Sequence, residues 1–293
     1  MPEGEYVTLR SGAKMPLIGF GTFEVKNPYT ISNAAEVGYK MFDTSSFYEN
    51  EWILGDCLAR SNRTDMFVVS KAWNDIVYDG PAAVIYQVAK SLQDLRVECI
   101  DLYMIHWPVP GKFLQVYKVL EDLHSQGKIK DIGISNFTIE DYEELIAGGI
   151  KVLPSVVQFE VNPLLFRKKT ISYFQSKGMH VMSYRGFAKA GACLQDADVV
   201  ALAAKYVKTP SQILGRFLVQ QKISHIPKSS DRTRMAENRD IFSFKLEDSE
   251  MELLGKKTDS GAFEIFKGHY LSRRVKDTHL EFKPPKPVQF TAE

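Results

Sequence analysis

The stretch FDTSSFYENE, residues 42–51, ends an apolar run on a carboxylate, Asp43, and brings a phenol, Tyr48, five residues later. Taken singly, both residues have ordinary roles. Asp43 is an Asx-type turn former where a strand gives way to the next element, and Tyr48 is a half-buried packing residue. The rest of the chain decides the matter, because the same arrangement recurs along it. Short apolar runs stand at LIGF (17–20), YKMF (39–42), MFVVS (66–70), DLYMI (101–105), DIGI (131–134), SVVQF (155–159), HVMSY (180–184) and ISHIP (223–227). Between them lie stretches such as PAAVIYQVAKSLQDL and KFLQVYKVLEDLHSQGK, whose apolar residues recur at steps of three and four. The second of these stops at Gly127-Lys128, as helices do.

Strand and helix patterns thus alternate eight times without a Pro/Gly/Ser-rich linker or a break in composition. This predicts a single α/β domain over residues 1–293, a (β/α)8 TIM barrel, with an open doubly wound sheet as the alternative architecture. Residues 1–16 read as an N-terminal hairpin turning at Ser11-Gly12 and plugging the barrel's bottom, and residues from about 265 to 293 as a C-terminal loop and tail.

At or just beyond the ends of these runs stand Asp43, Lys71, His106, Ser135 with Asn136, Gln158, Tyr184 and Lys228. In a closed parallel barrel the C-terminal strand ends converge on one face, where catalytic groups sit. An open sheet would spread most of them too far apart to share a substrate. Lys71 alone is a solvated strand-end lysine and His106 alone a core histidine, but with Asp43 and Tyr48 they make a chemical unit. A phenol has a reference pKa of about 10 and holds its proton at neutral pH. A neighbouring ammonium favours the phenolate, and a carboxylate fixes the ammonium. Asp43 is therefore expected to hold Lys71, Lys71 to acidify Tyr48, and Tyr48 to protonate an oxygen gaining negative charge. His106 is expected to donate a second hydrogen bond to that oxygen. The set suits hydride addition to a carbonyl. It lacks the nucleophile–base pair of acyl transfer and the ligand spacing of a metal site.

Composition narrows the partners. The chain has 293 residues, with 37 basic against 36 acidic side chains and a net charge of +1, which offers no overall field for nucleic acid or an anionic membrane. No apolar run approaches the roughly 20 residues of a membrane span. The polar start MPEGEYVTLRSG shows neither a secretory h-region nor an Arg-rich transit pattern. Cys57, Cys99 and Cys193 are odd in number, widely spaced and free of C-x-x-C, so a reduced, cytoplasmic compartment is the simplest account. No oligomerisation signal is visible, and a monomer is expected.

The chain resembles the aldo-keto reductases over nearly its whole length, through MPLIGFGTFE, FDTSSFYENEWILG, DLYMIHWP, GKIKDIGISNF, QFEVNP and IPKSSDRTRMAEN in the family's order. The resemblance implies NAD(P)H-dependent reduction of an aldehyde or ketone and a catalytic tetrad of Asp43, Tyr48, Lys71 and His106. It places Gly21, Thr22 and Asp43 around the nicotinamide ribose, Ser135, Asn136 and Gln158 on the carboxamide, and Tyr184 on the ring face. GFGTFE (19–24) lacks the third glycine of a Rossmann loop, and no phosphate-binding helix opens there. After the last strand, Lys228, Ser229 and a helix starting near Asp231 or Thr233 form a phosphate-attracting site. Lys228 and Arg234 are expected to bracket the adenosine 2′-phosphate with Ser229 donating to it. Glu237 and Asn238 would contact adenine, and NADPH would be preferred over NADH. Either Asn136 or Thr138 could cap the helix that begins at TIEDYEELI.

Phe23, Trp73 and Trp107 are implied to build, with Tyr48 and His106, an aromatic substrate pocket, left open by the short loop WPVPGKF. One segment departs from the family. Arg185-Gly186-Phe187 follows Tyr184 where a Ser-Pro-Leu type loop is usual, so its pyrophosphate contacts do not carry over. Arg185 either reaches the pyrophosphate or is solvated. Two other functions stay open at this level: a cofactor-binding regulatory or structural protein of the same fold, and an unrelated barrel isomerase or hydrolase acting on phosphorylated substrates.

Overall fold

The computed structural model describes residues 5–60, 65–258 and 260–281. The chain enters through an antiparallel hairpin, β1 (Tyr6–Thr8) against β2 (Lys14–Pro16). Gly12 takes φ +84° at its turn, a conformation that favours glycine, while the Leu9 N–H donates to the Ala13 carbonyl at 2.9 Å. Leu9, Ala13 and Met15 pack into a cluster with Met41, Phe67, Val69, Leu102, Met104, Val156 and Met182. The hairpin therefore seals the end of the barrel at which the strands begin, as the sequence predicts.

Eight parallel strands follow in the order of the chain: β3 (Phe20–Gly21), β4 (Met41–Asp43), β5 (Phe67–Ala72), β6 (Ile100–Ile105), β7 (Ile129–Ser135), β8 (Val156–Glu160), β9 (His180–Tyr184) and β10 (Ile223–His225). Each pairs with its neighbours in sequence. The first and last strands also join. Gly19 donates to the His225 carbonyl at 2.9 Å, His225 to Leu17 at 2.8 Å and Gly21 to Pro227 at 3.1 Å, so the sheet is closed. Closure removes both sheet edges and excludes the open doubly wound alternative.

Around the barrel run α1 (Pro28–Val37), α2 (Glu51–Ala59), α3 (Asn74–Asp79), α4 (Pro81–Leu95), α5 (Phe113–Ser125), α6 (Ile139–Ala147), α7 (Lys168–Ser176), α8 (Ala197–Tyr206), α9 (Pro210–Val219), α10 (Arg232–Arg239), α11 (Asp248–Gly255) and α12 (Ser260–Arg273). Thr138, not Asn136, caps α6. Its hydroxyl accepts from the Asp141 N–H at 3.1 Å, and the Asp141 carboxylate accepts from the Thr138 N–H at 2.8 Å.

The C-terminal segment differs from the expected loop. Through Arg273 it is helical, because Phe266 and Tyr270, four residues apart, share one face buried with Trp73, Trp107 and Leu165. Tyr270 donates to the Asp141 carboxylate, and Arg274 stands 3.6 Å from the same group. Residues 282–293 of the expected tail lie outside the described residues.

The strand period positions the site. Met41, Val69, Met104, Val156, Met182 and Ile226 form the inner layer, and the residues two further on are Asp43, Lys71, His106, Gln158, Tyr184 and Lys228. Since alternate strand residues share a face, the side chain following each inner apolar residue by two is carried up into the barrel mouth.

Candidate active site

Five of those six residues meet at the mouth as one connected cluster or at its border. Lys71 Nζ lies 2.7 Å from Asp43 Oδ1 and donates to the Thr44 carbonyl at 2.8 Å. Both side chains are essentially inaccessible. A buried ion pair needs its remaining polar valences filled, and here Gln158 Nε2 donates to Asp43 Oδ2 at 2.7 Å. On the helix side of β5, Glu51 accepts from Ser70 at 2.5 Å and Ser91 at 2.8 Å, and burial raises its pKa. Asn50 ties the loop after β3 to the loop after β4. Its amide donates to the carbonyls of Thr22 (2.7 Å) and Val25 (3.0 Å), while its oxygen accepts from Thr44 Oγ1 at 3.2 Å.

Tyr48 arrives on a single 3-10 turn, Ser46–Tyr48, started by Ser45. Its ring stands 5.5 Å from Lys71 Nζ and 5.9 Å, edge to face, from the His106 ring. The expected acidification by Lys71 is not what the site shows. Burial pushes the phenol well above 10.0, and the neighbouring Asp43 charge pushes it further in the same direction. Burial is the main cause, and the lysine that would favour a phenolate is itself paired with Asp43 at contact distance. Lys71's own pKa is lowered by burial, against the opposing pull of Asp43. His106 is driven well below 6.5, first by burial and then by Lys71 and Arg273, so the imidazole is neutral near pH 7. The mouth therefore holds a protonated phenol and a neutral imidazole beside an ion pair.

These groups open onto a cavity of about 380 Å³. Gly21, Asp43, Asn136, Gln158 and Tyr184 line it, as do the aromatic residues Phe23, Trp73 and Trp107 and, at its far arm, Lys228. Thr22 and Ser135 stand behind the wall. Thr22 Oγ1 donates to the Asp43 carbonyl at 3.1 Å, and Ser135 Oγ accepts from Asn136 at 3.0 Å. Asn136, at φ +60°, also donates to the His106 carbonyl at 3.0 Å and accepts from the Tyr184 hydroxyl at 2.6 Å.

The far arm is less assembled. Ser229, Arg234, Glu237 and Asn238 are not among the cavity's lining residues. The helix start there is already capped, since the Asp231 carboxylate accepts from the Arg234 N–H at 2.8 Å. Lys228 and Arg234 are exposed, the latter 4.0 Å from Asp231. Arg185 is neither simply solvated nor free. It lines the cavity and pairs with Glu160 at 3.2 Å.

Phe47, His269, Arg273 and His225 also line the cavity, and sequence reasoning did not place them there. Phe47 stacks on Trp73 at 3.9 Å between centroids. His269 and Arg273, four apart on α12, come from the segment expected to be a loop; the only available signal was helical spacing with Phe266 and Tyr270.

Comparison with known proteins follows the same lines. The model of the Aldo/keto reductase family matches residues 18–259. The chain belongs to the aldo/keto reductase family. It is 33% identical over 252 residues to a glyoxal reductase of Bacillus subtilis (strain 168), covering 84% of this chain and 90% of that one. It is 34% identical over 264 residues to a methylglyoxal reductase of Escherichia coli O157:H7, covering 87% and 94%. Among solved structures, an aldo-keto reductase of Bombyx mori in complex with NADP superposes with a TM-score of 0.79 at 28% identity, over 88% of this chain and 96% of that one. Membership makes this chain an NADP-dependent reductase of aldehydes and ketones, an oxidoreductase with a (β/α)8 fold.

Proposed function

We propose that Tyr48 is the general acid of this carbonyl reduction, that His106 orients the carbonyl, and that Asp43 and Lys71 fix the polar frame around them. The observation that carries it is that Asp43, Tyr48 and His106 line one cavity, with Tyr48 and His106 edge to face at 5.9 Å and Lys71 buried behind them, 2.7 Å from Asp43. The amide N–H2 groups of Asn136 and Gln158 are both spent within the protein, but Gln158 Oε1 and the second lone pair of Asn136 Oδ1 can accept from a carboxamide N–H2, and Tyr184 offers a ring face, so this wall fits a nicotinamide cofactor. The bound cofactor supplies the hydride. The protein's part is to hold the carbonyl oxygen between Tyr48 Oη and His106. Tyr48 then transfers its proton to that oxygen as negative charge develops, giving the alcohol. A phenol kept above 10 retains this proton through the neutral range.

NADPH is the preferred cofactor on the strength of Lys228, on the cavity wall, and Arg234, beyond it, exposed cations that suit a 2′-phosphate better than a hydroxyl. Ser229 would donate to the same phosphate, Glu237 and Asn238 would contact adenine, and Gly21, Thr22 and Ser135 would shape the ribose and carboxamide sites. Phe23, Trp73 and Trp107 favour small carbonyl compounds with an apolar or planar body. The reductase relatives point to short dicarbonyls first. The chain would work as one barrel domain, as a monomer, in a cytoplasmic setting. A purely regulatory binding protein finds no support among the relatives named above.

The deciding experiment follows NADPH absorbance with methylglyoxal, glyoxal and a panel of aldehydes and ketones. Turnover by the natural chain, lost in Tyr48→Phe with cofactor binding retained, is the expected result. Undiminished turnover in that variant would remove Tyr48 from the role of acid. Fluorescence titration with NADPH and NADH, if it gave equal affinities, would refute the assignment of Lys228 and Arg234.

A further inference from the structure

We infer that Ser45 is a positioning residue for His106, selecting the imidazole tautomer that can donate to a substrate carbonyl, and that Ser46 enables this by occupying the competing acceptor. The inference rests on the role given to His106 above.

Ser45 is wholly buried behind the cavity wall. Its Oγ accepts from the Phe47 N–H at 3.3 Å, as the cap of the 3-10 turn, and so retains one proton to give. Two acceptors are within reach: His106 Nδ1 at 3.0 Å and the Lys71 carbonyl at 3.3 Å. The carbonyl already accepts from Ser46 Oγ at 3.0 Å, the shorter of its two hydroxyl contacts, so it competes less strongly for a second proton. The nearer and less satisfied acceptor is Nδ1, and the Ser45 proton goes there.

A neutral imidazole carries a single N–H, so a ring that accepts at Nδ1 bears its proton on Nε2. His106 lines the cavity, and Nε2 has no hydrogen-bond partner among the described residues. It is left to meet the substrate. The reverse arrangement would have Nδ1–H donating to Ser45 and Ser45 donating to Lys71. It would turn the Nε2 lone pair toward a carbonyl oxygen that can only accept, and the oxyanion would gain nothing from it. The serine pair in DTSSFY thus does more than start a turn. One hydroxyl fills the backbone acceptor so that the other is free to set the proton on the ring.

The test reads the ring nitrogens directly, in the full chain labelled with nitrogen-15 histidine. The natural protein should show a bare Nδ1 and a protonated Nε2 for His106. Ser45→Ala should populate both tautomers and lower kcat about three- to tenfold, the scale of one net hydrogen bond, while leaving the NADPH dissociation constant unchanged. Ser45→Thr, which keeps the hydroxyl, should restore both readouts. Ser46→Ala is the sharper variant, since Ser46 does not touch His106. Freeing the Lys71 carbonyl should draw the Ser45 proton away, so the Nδ1–H population should rise and kcat fall in step. A proton on Nδ1 in the natural protein would overturn the inference, as would a tautomer and kcat indifferent to Ser45→Ala. Because the nitrogen shifts are read without substrate, they decide this point even if no carbonyl compound were turned over. In that event the reaction assigned to His106 would fail while the hydrogen-bond assignment stood.

Discussion

The two ends of the cavity are built on opposite principles. At the proposed catalytic end, Asp43, Lys71 and Gln158 are buried and bonded to one another, and Ser45 is buried and bonded to His106. At the far arm, Lys228 and Arg234 stand in water, with the neighbouring helix start capped by the protein's own Asp231. Proton transfer requires groups held in register, because a misplaced donor loses rate steeply. Holding a phosphate requires mainly cations, whose strength can wait for the ligand to displace water. The first group is held by hydrogen bonds within the fold, and the second consists of exposed cations.

The contrast can be broken most severely at Tyr48. Replacing it with Phe should cost about 10²–10⁴ in kcat, the usual contribution of a positioned acid, with the fluorescence-measured affinity for NADPH unchanged. Next comes Lys71→Met, which leaves the Asp43 carboxylate buried without its cation. Loss of about 3–5 kcal/mol of stability is expected from such an orphaned charge, read by urea denaturation. The matching change at the far arm, Lys228→Met, should alter stability by no more than about 0.5 kcal/mol. If both lysines proved equally dispensable to folding, the division between the two ends would be wrong.

Lys228→Met should instead weaken NADPH about tenfold, as the loss of one charge-assisted contact implies, and leave NADH almost untouched. The difference between the natural and altered chains should shrink as salt is added, since exposed charges are screened. The smallest expected effect is a flat pH profile. The kcat/KM of the free enzyme should show no inflection near 6.5, because His106 accepts a proton only well below that value. The alkaline fall should begin only above pH 10, because Tyr48 keeps its proton up to there. An acid limb centred near 6.5 would mean that His106 is more hydrated than its burial indicates.

Much of this was legible in the sequence because a barrel strand repeats every second residue. Each inner apolar residue, such as Met41, Val69 or Met104, announces that the side chain two places on rises into the mouth. Asp43, Lys71, His106, Gln158 and Tyr184 could therefore be named together from the runs. Turn chemistry was equally local, as the hairpin at Ser11-Gly12 and the helix stop at Gly127 show. The helix over Ser260–Arg273 was harder to see, because its apolar face is short and gains its value only against Trp73, Trp107 and Leu165. His269 and Arg273 entered the cavity wall with it.

By itself, the order of residues determined the alternating architecture, the closed set of strand-end groups and the chemistry they share, since periodicity and local propensity act between near neighbours. Tertiary structure alone decided the charge states and the hydrogen-bond directions. Whether Lys71 acidifies Tyr48 depends on how deeply the phenol is buried and on the Asp43 charge beside it, and which way Ser45 gives its proton depends on Ser46 holding the Lys71 carbonyl at the shorter distance. Those outcomes turn on distances of a few tenths of an ångström between segments far apart in the chain, and no pattern along the chain encodes them.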